Sequence, residues 1–347
     1  MRVAIAGLAH GHITGFLDHY QHDPRIQIVG IAETDREFAT RVASQYKLDP
    51  ALLYADLGDM LEKTHPQAVL AYTNTFDHRR VVEVCARHKI DVMMEKPLAV
   101  STTDALAMQK AAEAAHIHVL VNYETTWYAS NRAAYEMLHS GAIGDMRKFV
   151  ARDGHRGPKE IGVGPEFLAW LVDPRLDGGG ALYDFGCYGA DLVTWLMDDQ
   201  TPISVTAVTQ TIKPQIYTHV DDEATIILKY PSAQAIIQAS WNWPFDVKDI
   251  QVFGATGSVK TVQRDHVLVR RAGEHEEEDV AAKPIPSPDD DPISYLRAAV
   301  MDGRKAEGPT SLDTNVIVAE ILDAARESAK ERRTIPLPRK DKVRVSQ

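Results

Sequence analysis

Cysteine is nearly absent: the 347 residues hold two, Cys85 and Cys187. That excludes the disulfide framework of a small secreted domain. Each is read as a small buried residue in a reducing compartment, the cytoplasm. Excess positive charge is lacking too. Lysine and arginine number 38 against 49 acids, a formal net charge of -11. No basic stripe offsets that balance, so no nucleic-acid partner is expected. No apolar run approaches the roughly 20 residues of a membrane span, so no membrane partner is expected either. The first residues, Met1 to Gly7, enter a strand at once with no cleavage site after them, unlike a signal peptide. Internal repeats and low-complexity segments are missing as well. What remains is a globular composition, 44% apolar and 25% charged, in a chain long enough for about two domains.

Residues 3–6 form a short apolar strand, followed by Gly7-Leu8-Ala9-His10-Gly11-His12 and a helical stretch over 13–20. Strand, glycine-bearing turn and helix is the layout that aims backbone N–H groups and a helix N-terminus at a pyrophosphate. The fingerprint is incomplete, because Ala9 and His12 stand at its second and third glycine positions. Alanine costs little there. Histidine is bulky for helix–strand packing unless Gly11 takes that duty. Two histidines with no carboxylate or cysteine nearby make a poor metal site, and no metal is expected. Phosphate contact or plain turn residues remain as readings of His10 and His12. The next strand, 27–32, ends at Glu33, placed to accept hydrogen bonds from an adenosine ribose and to repel a 2′-phosphate. That favours NAD over NADP, with Arg36 close enough to complicate the sign.

The alternation continues with helices over 38–46 and 57–63 and a strand over 68–72, closed by Thr73-Asn74 and, a little further on, His78. A helix over 80–88, a strand over 91–94, a helix over 104–115 and a strand over 119–121 ending at Asn122 complete the series. Strand–helix repeats of this length imply right-handed crossovers and a parallel sheet. The strand over 91–94 runs into Glu95-Lys96-Pro97. Open α/β sheets bind ligands beyond the carboxyl ends of their strands, so Lys96 is well sited for chemistry. Alone, the tripeptide equally suits a surface lysine at a helix start. Four other strand ends turn polar residues to the same edge: the Gly7 turn, Glu33, Thr73-Asn74 and Asn122. That convergence points to a dinucleotide site more strongly than any single motif and, with Asp184 and Tyr188 of the second domain below, leads to Lys96 being read as an active-site residue. Glu95 is read as its positioner.

Beyond Asn122 the texture changes. A helix over 131–140 and a turn lead to a first strand of a new sheet at 148–152. The loop 154–164 carries His155 and Arg156, candidates for substrate contact along with Trp127 and His219. Gly178-Gly179-Gly180 then precede Asp184, Tyr188 and Asp191, whose spacings of four and three put them on one helical face. Two carboxylates and a phenol behind three glycines, which let another backbone approach, is an unusual core pattern. A phenol near a lysine ammonium is expected to have its pKa lowered from about 10, suiting it to acid–base work. The plainer reading is that Tyr188 packs and Asp184 caps the helix. Strands over 204–211, 224–229, 235–241, 249–253, 258–261 and 267–270 suggest a mostly antiparallel sheet. The acidic run 274–279 is read as a solvated hairpin tip. Helices over 293–301 and 314–330 follow, the last available to pack back on the first domain. One sheet face is left over, and an oligomer interface is expected there.

These motifs resemble the Gfo/Idh/MocA oxidoreductases. The resemblance rests on Glu95-Lys96-Pro97, on Thr73-Asn74 with His78, on Gly178-Gly179-Gly180 leading to Asp184-Phe185-Gly186-Cys187-Tyr188, on Gly254-Ala255-Thr256-Gly257-Ser258, and on Ser328-Ala329 in the late helix. It implies an α/β protein: an N-terminal Rossmann domain over 1–122, and over 123–347 an α/β domain with a large, mostly antiparallel, open-faced sheet. It also implies hydride transfer between NAD(P) and a sugar or polyol; the spare sheet face adds the expectation of a homodimer or homotetramer joined through it. Lys96 looks like the family's catalytic lysine and Asp184 like its active-site acid. Tyr188 stands where many members carry histidine. Gly7, Leu8, Ala9, His10, Gly11, His12, Glu33, Thr73, Asn74, His78, Glu95, Lys96 and Asn122 are the expected cofactor contacts. Trp127, His155, Arg156, Asp191 and His219 are the substrate candidates. In the expected reaction Tyr188 or Lys96 takes the hydroxyl proton while Asp184 orients the pair. Two alternatives stay open: an NAD-recycling glycosidase or lyase with no net redox change, and a non-catalytic nucleotide-sensing regulator.

Overall fold

Apolar strands of four to six residues between amphipathic helices can bury both faces only as a parallel sheet covered on each side. The computed structural model, which describes residues 1–338, has that arrangement in its first part. In order come β1 (Arg2–Ala6), α1 (His12–Tyr20), β2 (Gln27–Ala32), α2 (Arg36–Tyr46), β3 (Leu53–Tyr54), α3 (Leu57–Thr64), β4 (Ala68–Ala71), α4 (His78–His88), β5 (Asp91–Glu95), α5 (Thr102–Ala115) and β6 (Val119–Asn122). The strands pair in parallel in the order β3-β2-β1-β4-β5-β6. The order reverses between β1 and β4, which opens a crevice at their carboxyl ends. Helix ends are capped by local chemistry. Asp35, Asp56 and Ser101 accept from backbone N–H groups at the starts of α2, α3 and α5.

The second part begins with α6 (Ala129–His139), β7 (Met146–Gly154), α7 (Pro165–Leu171), α8 (Ala181–Asp184) and α9 (Gly186–Leu196). Strands β8 (Ser204–Gln210), β9 (Glu223–Lys229), β10 (Gln234–Ser240), β11 (Val247–Gly254), β12 (Gly257–Val262), β13 (His266–Arg271) and β14 (Glu278–Ala281) follow. The described chain closes with α10 (Pro292–Asp302), α11 (Leu312–Glu331) and β15 (Ile335–Pro336). Among the described residues nine strands of this sheet run in the order β14-β13-β12-β11-β7-β10-β9-β8-β15, and of them only β7 and β10 pair in parallel. Alternation puts Phe149, Ala151, Ile237, Ala239, Ile250 and Val252 inside against the helices. The other face leaves Val208, Ile227 and Phe253 exposed.

The acidic run is split. Glu278 and Asp279 lie in the edge strand β14, so the hairpin tip is 272–277 with Gly273 at φ +90°. The expected single helix through Asp184, Tyr188 and Asp191 is broken at Phe185, where φ is -108°. Helix α11 packs on both parts: Asp323 accepts from the Thr102 hydroxyl at 2.9 Å, and Tyr123 donates to Asn315 at 3.0 Å. Ile293, Leu296 and Ala299 of α10 join the core around Ile5, Phe16 and Leu17 under the first sheet. The end of the expected second domain, 339–347, lies outside the described residues.

Candidate active site

The turn after β1 is shaped by Gly7. Its φ is +76°, and a Cβ there would lie 2.6 Å from the Thr73 methyl. The turn is held by Glu33 at the end of β2, whose Oε2 accepts the Leu8 N–H at 2.9 Å and whose Oε1 accepts the Asp35 N–H at 3.0 Å. A pocket of about 180 Å³ opens here, lined by Gly7, Ala9, Glu33, Thr73 and Asn74. Arg36 sits at the start of α2, outside that lining, while Arg80 lies in it. From the second part, α7 lies over the turn. Trp170 donates its indole N–H to Ala9 O at 3.1 Å, Phe167 packs on His10, and Glu166 pairs with Arg41.

Strand β5 delivers Glu95 and Lys96 to the same edge, and the Lys96–Pro97 bond is cis. Lys96 is buried. Its Nζ donates to Asp184 Oδ1 at 2.6 Å and to Asp184 O at 3.0 Å. The other Asp184 oxygen accepts the Trp241 indole N–H at 2.9 Å. Burial alone would pull the lysine pKa down, but the Asp184 charge overcomes it and the lysine pKa lies above its ordinary 10.5. For Asp184, burial pushes up, and the Lys96 ammonium with the Trp241 N–H hold it below 3.8. The two directions agree on one charged pair. Tyr188 lies against this pair, with Lys96 Nζ 5.2 Å and Lys248 Nζ 4.2 Å from its ring centre. A cleft of about 600 Å³ between the two parts is lined by His10, His12, Lys96, Asp184, Tyr188, His155 and Lys248, among others.

Comparison with known proteins accords with this geometry. Residues 1–123 match the oxidoreductase family with an NAD-binding Rossmann fold, and residues 131–260 match the GFO/IDH/MocA C-terminal domain. The chain belongs to the Gfo/Idh/MocA family. It is 27% identical over 252 residues to D-apiose dehydrogenase of Rhizobium rhizogenes, covering 68% of this chain and 66% of that one. It is 25% identical over 313 residues to trans-1,2-dihydrobenzene-1,2-diol dehydrogenase of Xenopus tropicalis, covering 86% and 88%. Among solved structures it resembles aldose–aldose oxidoreductase from Caulobacter crescentus, with a TM-score of 0.79, 23% identity and coverage of 97% and 99%.

Several expectations for this Gfo/Idh/MocA chain need correcting. The Tyr188 pKa is raised well above 10, first by burial and then by the charge of Asp153; the two ammonium groups lie over the ring instead of depressing the hydroxyl. Asp191 is fully buried and lines no part of the cleft, because α9 is buried on every side from Gly186 to Thr194 and only Tyr188 of its residues reaches the opening. Arg156 is exposed, with its carbonyl accepting from Lys213, and His219 is exposed on the loop before β9. Neither reaches the cleft. Trp127 lines not the cleft itself but an adjoining cavity of about 460 Å³, which shares Gly11, His12 and Glu124 with it, and donates to Asn122 at 3.0 Å. His155 does line the cleft, edge-on to Phe185. His78 is buried beneath the 96–98 bend, its Nδ1 3.2 Å from Leu98 O, and lines neither the turn pocket nor the cleft.

Glu95 does not position Lys96. Its carboxylate takes His12 Nδ1 at 2.8 Å and Asn122 Nδ2 at 3.0 Å. It thereby supplies the carboxylate that neighbouring sequence lacked: ligand atoms of His10, His12 and Glu95 lie within 4.8 Å of one another. His10 Nδ1, however, accepts the His12 N–H at 3.2 Å, which puts the proton of this neutral, buried ring on Nε2 and leaves no free lone pair for a cation. The residues missed are Lys248, Trp241, Asp153 and Glu124. Lys248 is in phase with the inward-facing Ile250 and Val252, and Asp153 with Phe149 and Ala151. A charged residue on a strand's buried face was the available signal.

Proposed function

We propose that this protein is an NAD-dependent dehydrogenase acting on a secondary alcohol of a sugar, polyol or related small diol. The observation that carries the reading is the buried Lys96–Asp184 pair, set against Tyr188 in the cleft that begins at the Gly7 turn. The residues fit the nucleotide. Gly7 admits close approach, Glu33 retains lone pairs for ribose hydroxyls, Thr73 and Asn74 line the turn pocket, and Glu95 and Asn122 line the cavity beside the cleft that holds Lys96. NAD, when bound, supplies the hydride acceptor. Lys96 stays an ammonium at neutral pH, so it donates to the carbinol oxygen and polarises it; Asp184 fixes its direction. That leaves Tyr188 to take the hydroxyl proton. Its raised pKa keeps it a phenol, so it accepts that proton only while giving up its own.

The names of the two relatives supply the first substrates to try, D-apiose and trans-1,2-dihydrobenzene-1,2-diol. Binding titrations with NAD and with NADP come first, then turnover with the preferred nucleotide on these and a wider sugar and polyol panel. Product with accumulating NADH supports the dehydrogenase. Product without NADH favours recycling chemistry, and tight nucleotide binding with no turnover favours a regulator. The reading extends to a cytoplasmic homo-oligomer. It is supported by two buried, unbonded cysteines and by the apolar residues on the open sheet face.

A further inference from the structure

Behind Tyr188 lies a second, much smaller cavity of about 10 Å³, close to the room one water molecule needs. Tyr188 and Lys248 line both it and the substrate cleft. The inner cavity is also lined by Asp153, Thr125 and Arg152. Both Asp153 carboxylate oxygens, Thr125 Oγ1 and Arg152 Nη2 are buried and make no hydrogen bond among the described residues. Asp153 is 3% exposed and faces Lys248 across the β7–β11 pairing. That lysine is engaged elsewhere: its Nζ donates to Glu124 at 2.9 Å. An acid buried without a partner, next to a polar cavity and behind a phenol that must shed a proton, is unexplained by packing.

We propose that Asp153 is a positioning residue that holds the reaction's proton, exchanging it with Tyr188 across the inner cavity. The inference rests on the reading of Tyr188 as the group that deprotonates the alcohol. In oxidation the alcohol O–H bond breaks and its proton joins the Tyr188 oxygen. The phenol's own proton passes to water in the cavity, and a proton of that water passes to the Asp153 carboxylate. The carbinol hydride, with its electron pair, goes to oxidised nicotinamide nucleotide. Reduction runs the same steps backwards. The charges around Asp153 suit an exchangeable proton. Burial raises its pKa to about 8, with Asp184 and Glu124 pushing the same way against Lys248 and Lys96. Its charge is felt in turn by the hydroxyls of Tyr188 and Tyr128 and by the Cys187 thiol. Oxidation then requires the ionised acid and quickens as pH rises through about 8, while reduction slows over the same range.

Two readouts test this on the whole protein. Infrared pH-difference spectra, which need no substrate, should show a buried carboxyl losing its proton near pH 8 in the wild type and not in Asp153→Asn. In that variant the oxidation rate above that pH should fall by about 10²-fold, the low end for a placed proton-transfer group, and lose its pH step while NAD affinity is kept. Tyr188→Phe should keep the infrared step and lose the pH dependence of the residual rate, so the test survives if the aspartate variant misfolds. A wild-type protein without the infrared step, or an Asp153→Asn variant with unchanged rate and pH profile, overturns this proposal alone. A wild type that oxidises no alcohol overturns the functional reading along with it.

Discussion

Lys96 and Asp184 stabilise each other's charge in a place where neither would stay charged alone. Removing one partner of a buried pair leaves the other uncompensated, a loss of about 3–5 kcal/mol. Asp184→Ala should therefore lower the unfolding free energy by about that amount in a urea titration at neutral pH. The signs with pH follow from the directions of the shifts. Asp184 has a native pKa below 3.8, so its contribution is full above that value and lost as pH falls through the lower native one. Lys96 has a native pKa above 10.5, so its contribution is full below 10.5 and lost as pH rises through the higher one. Asp153 runs the other way. With a native pKa of about 8 against 3.8 unfolded, the native state binds the extra proton in between, and stability falls as pH rises across that window. Asp153→Asn should flatten that slope in thermal melts taken from pH 4 to pH 9. At this scale motifs in the sequence pick out Lys96, Asp184 and Tyr188, which the structure brings together in one cleft. The sequence was silent where partners came from distant strands. Trp241 reaches Asp184 across 57 positions, and Glu95 meets His12 across 83. Separations of that size carry no local pattern.

Elements were legible wherever the apolar period was unbroken. The parallel strands β1, β2, β4, β5 and β6 were all placed from their runs, to within a residue or two. Short elements were not. Strand β3 and β15 are two residues each, held by neighbours and not by their own pattern. Helix α7 was missed because its seven residues follow a glycine-bearing loop, and its aromatics look like surface residues until the dinucleotide turn is folded beneath them. The strand ends mattered most. A strand begun at Asp249 or stopped at Arg152 leaves out Lys248 and Asp153, the two charges facing inward. Glycine placement gives the sharpest prediction for an element. Gly7→Ala forces a left-handed residue and a 2.6 Å contact with Thr73, so it should lower stability by at least about 1–2 kcal/mol in thermal unfolding and weaken NAD binding in titration. The triple glycine has its own requirement at Gly180, where a Cβ would lie 1.8 Å from Asp221 O.

At the scale of the molecule, the reaction edge of one sheet is closed by residues carried on the other. Lysine comes from the first part, its carboxylate and phenol from the second. Helix α11 and α10 tie the parts together from both sides of the parallel sheet. A parallel sheet and a mostly antiparallel sheet were legible because each follows from element order and alternation. The closure of the cleft by α7 was not, since nothing in its own residues names its partner. The open face, with Val208 at 68% exposure, predicts self-association, and sedimentation of a dilute sample should give a dimer or tetramer. A clean monomer would remove the oligomer from the reading. On the proposed function, Lys96 and Tyr188 perform alcohol chemistry beside bound NAD. The most direct measurement follows nicotinamide absorbance during turnover of the best sugar or diol by wild type, Lys96→Met and Tyr188→Phe, with NAD affinity measured for each. The wild type should form NADH, and each variant should lose about 10²–10⁴-fold in rate with NAD affinity kept. Near-normal turnover in both variants would contradict it.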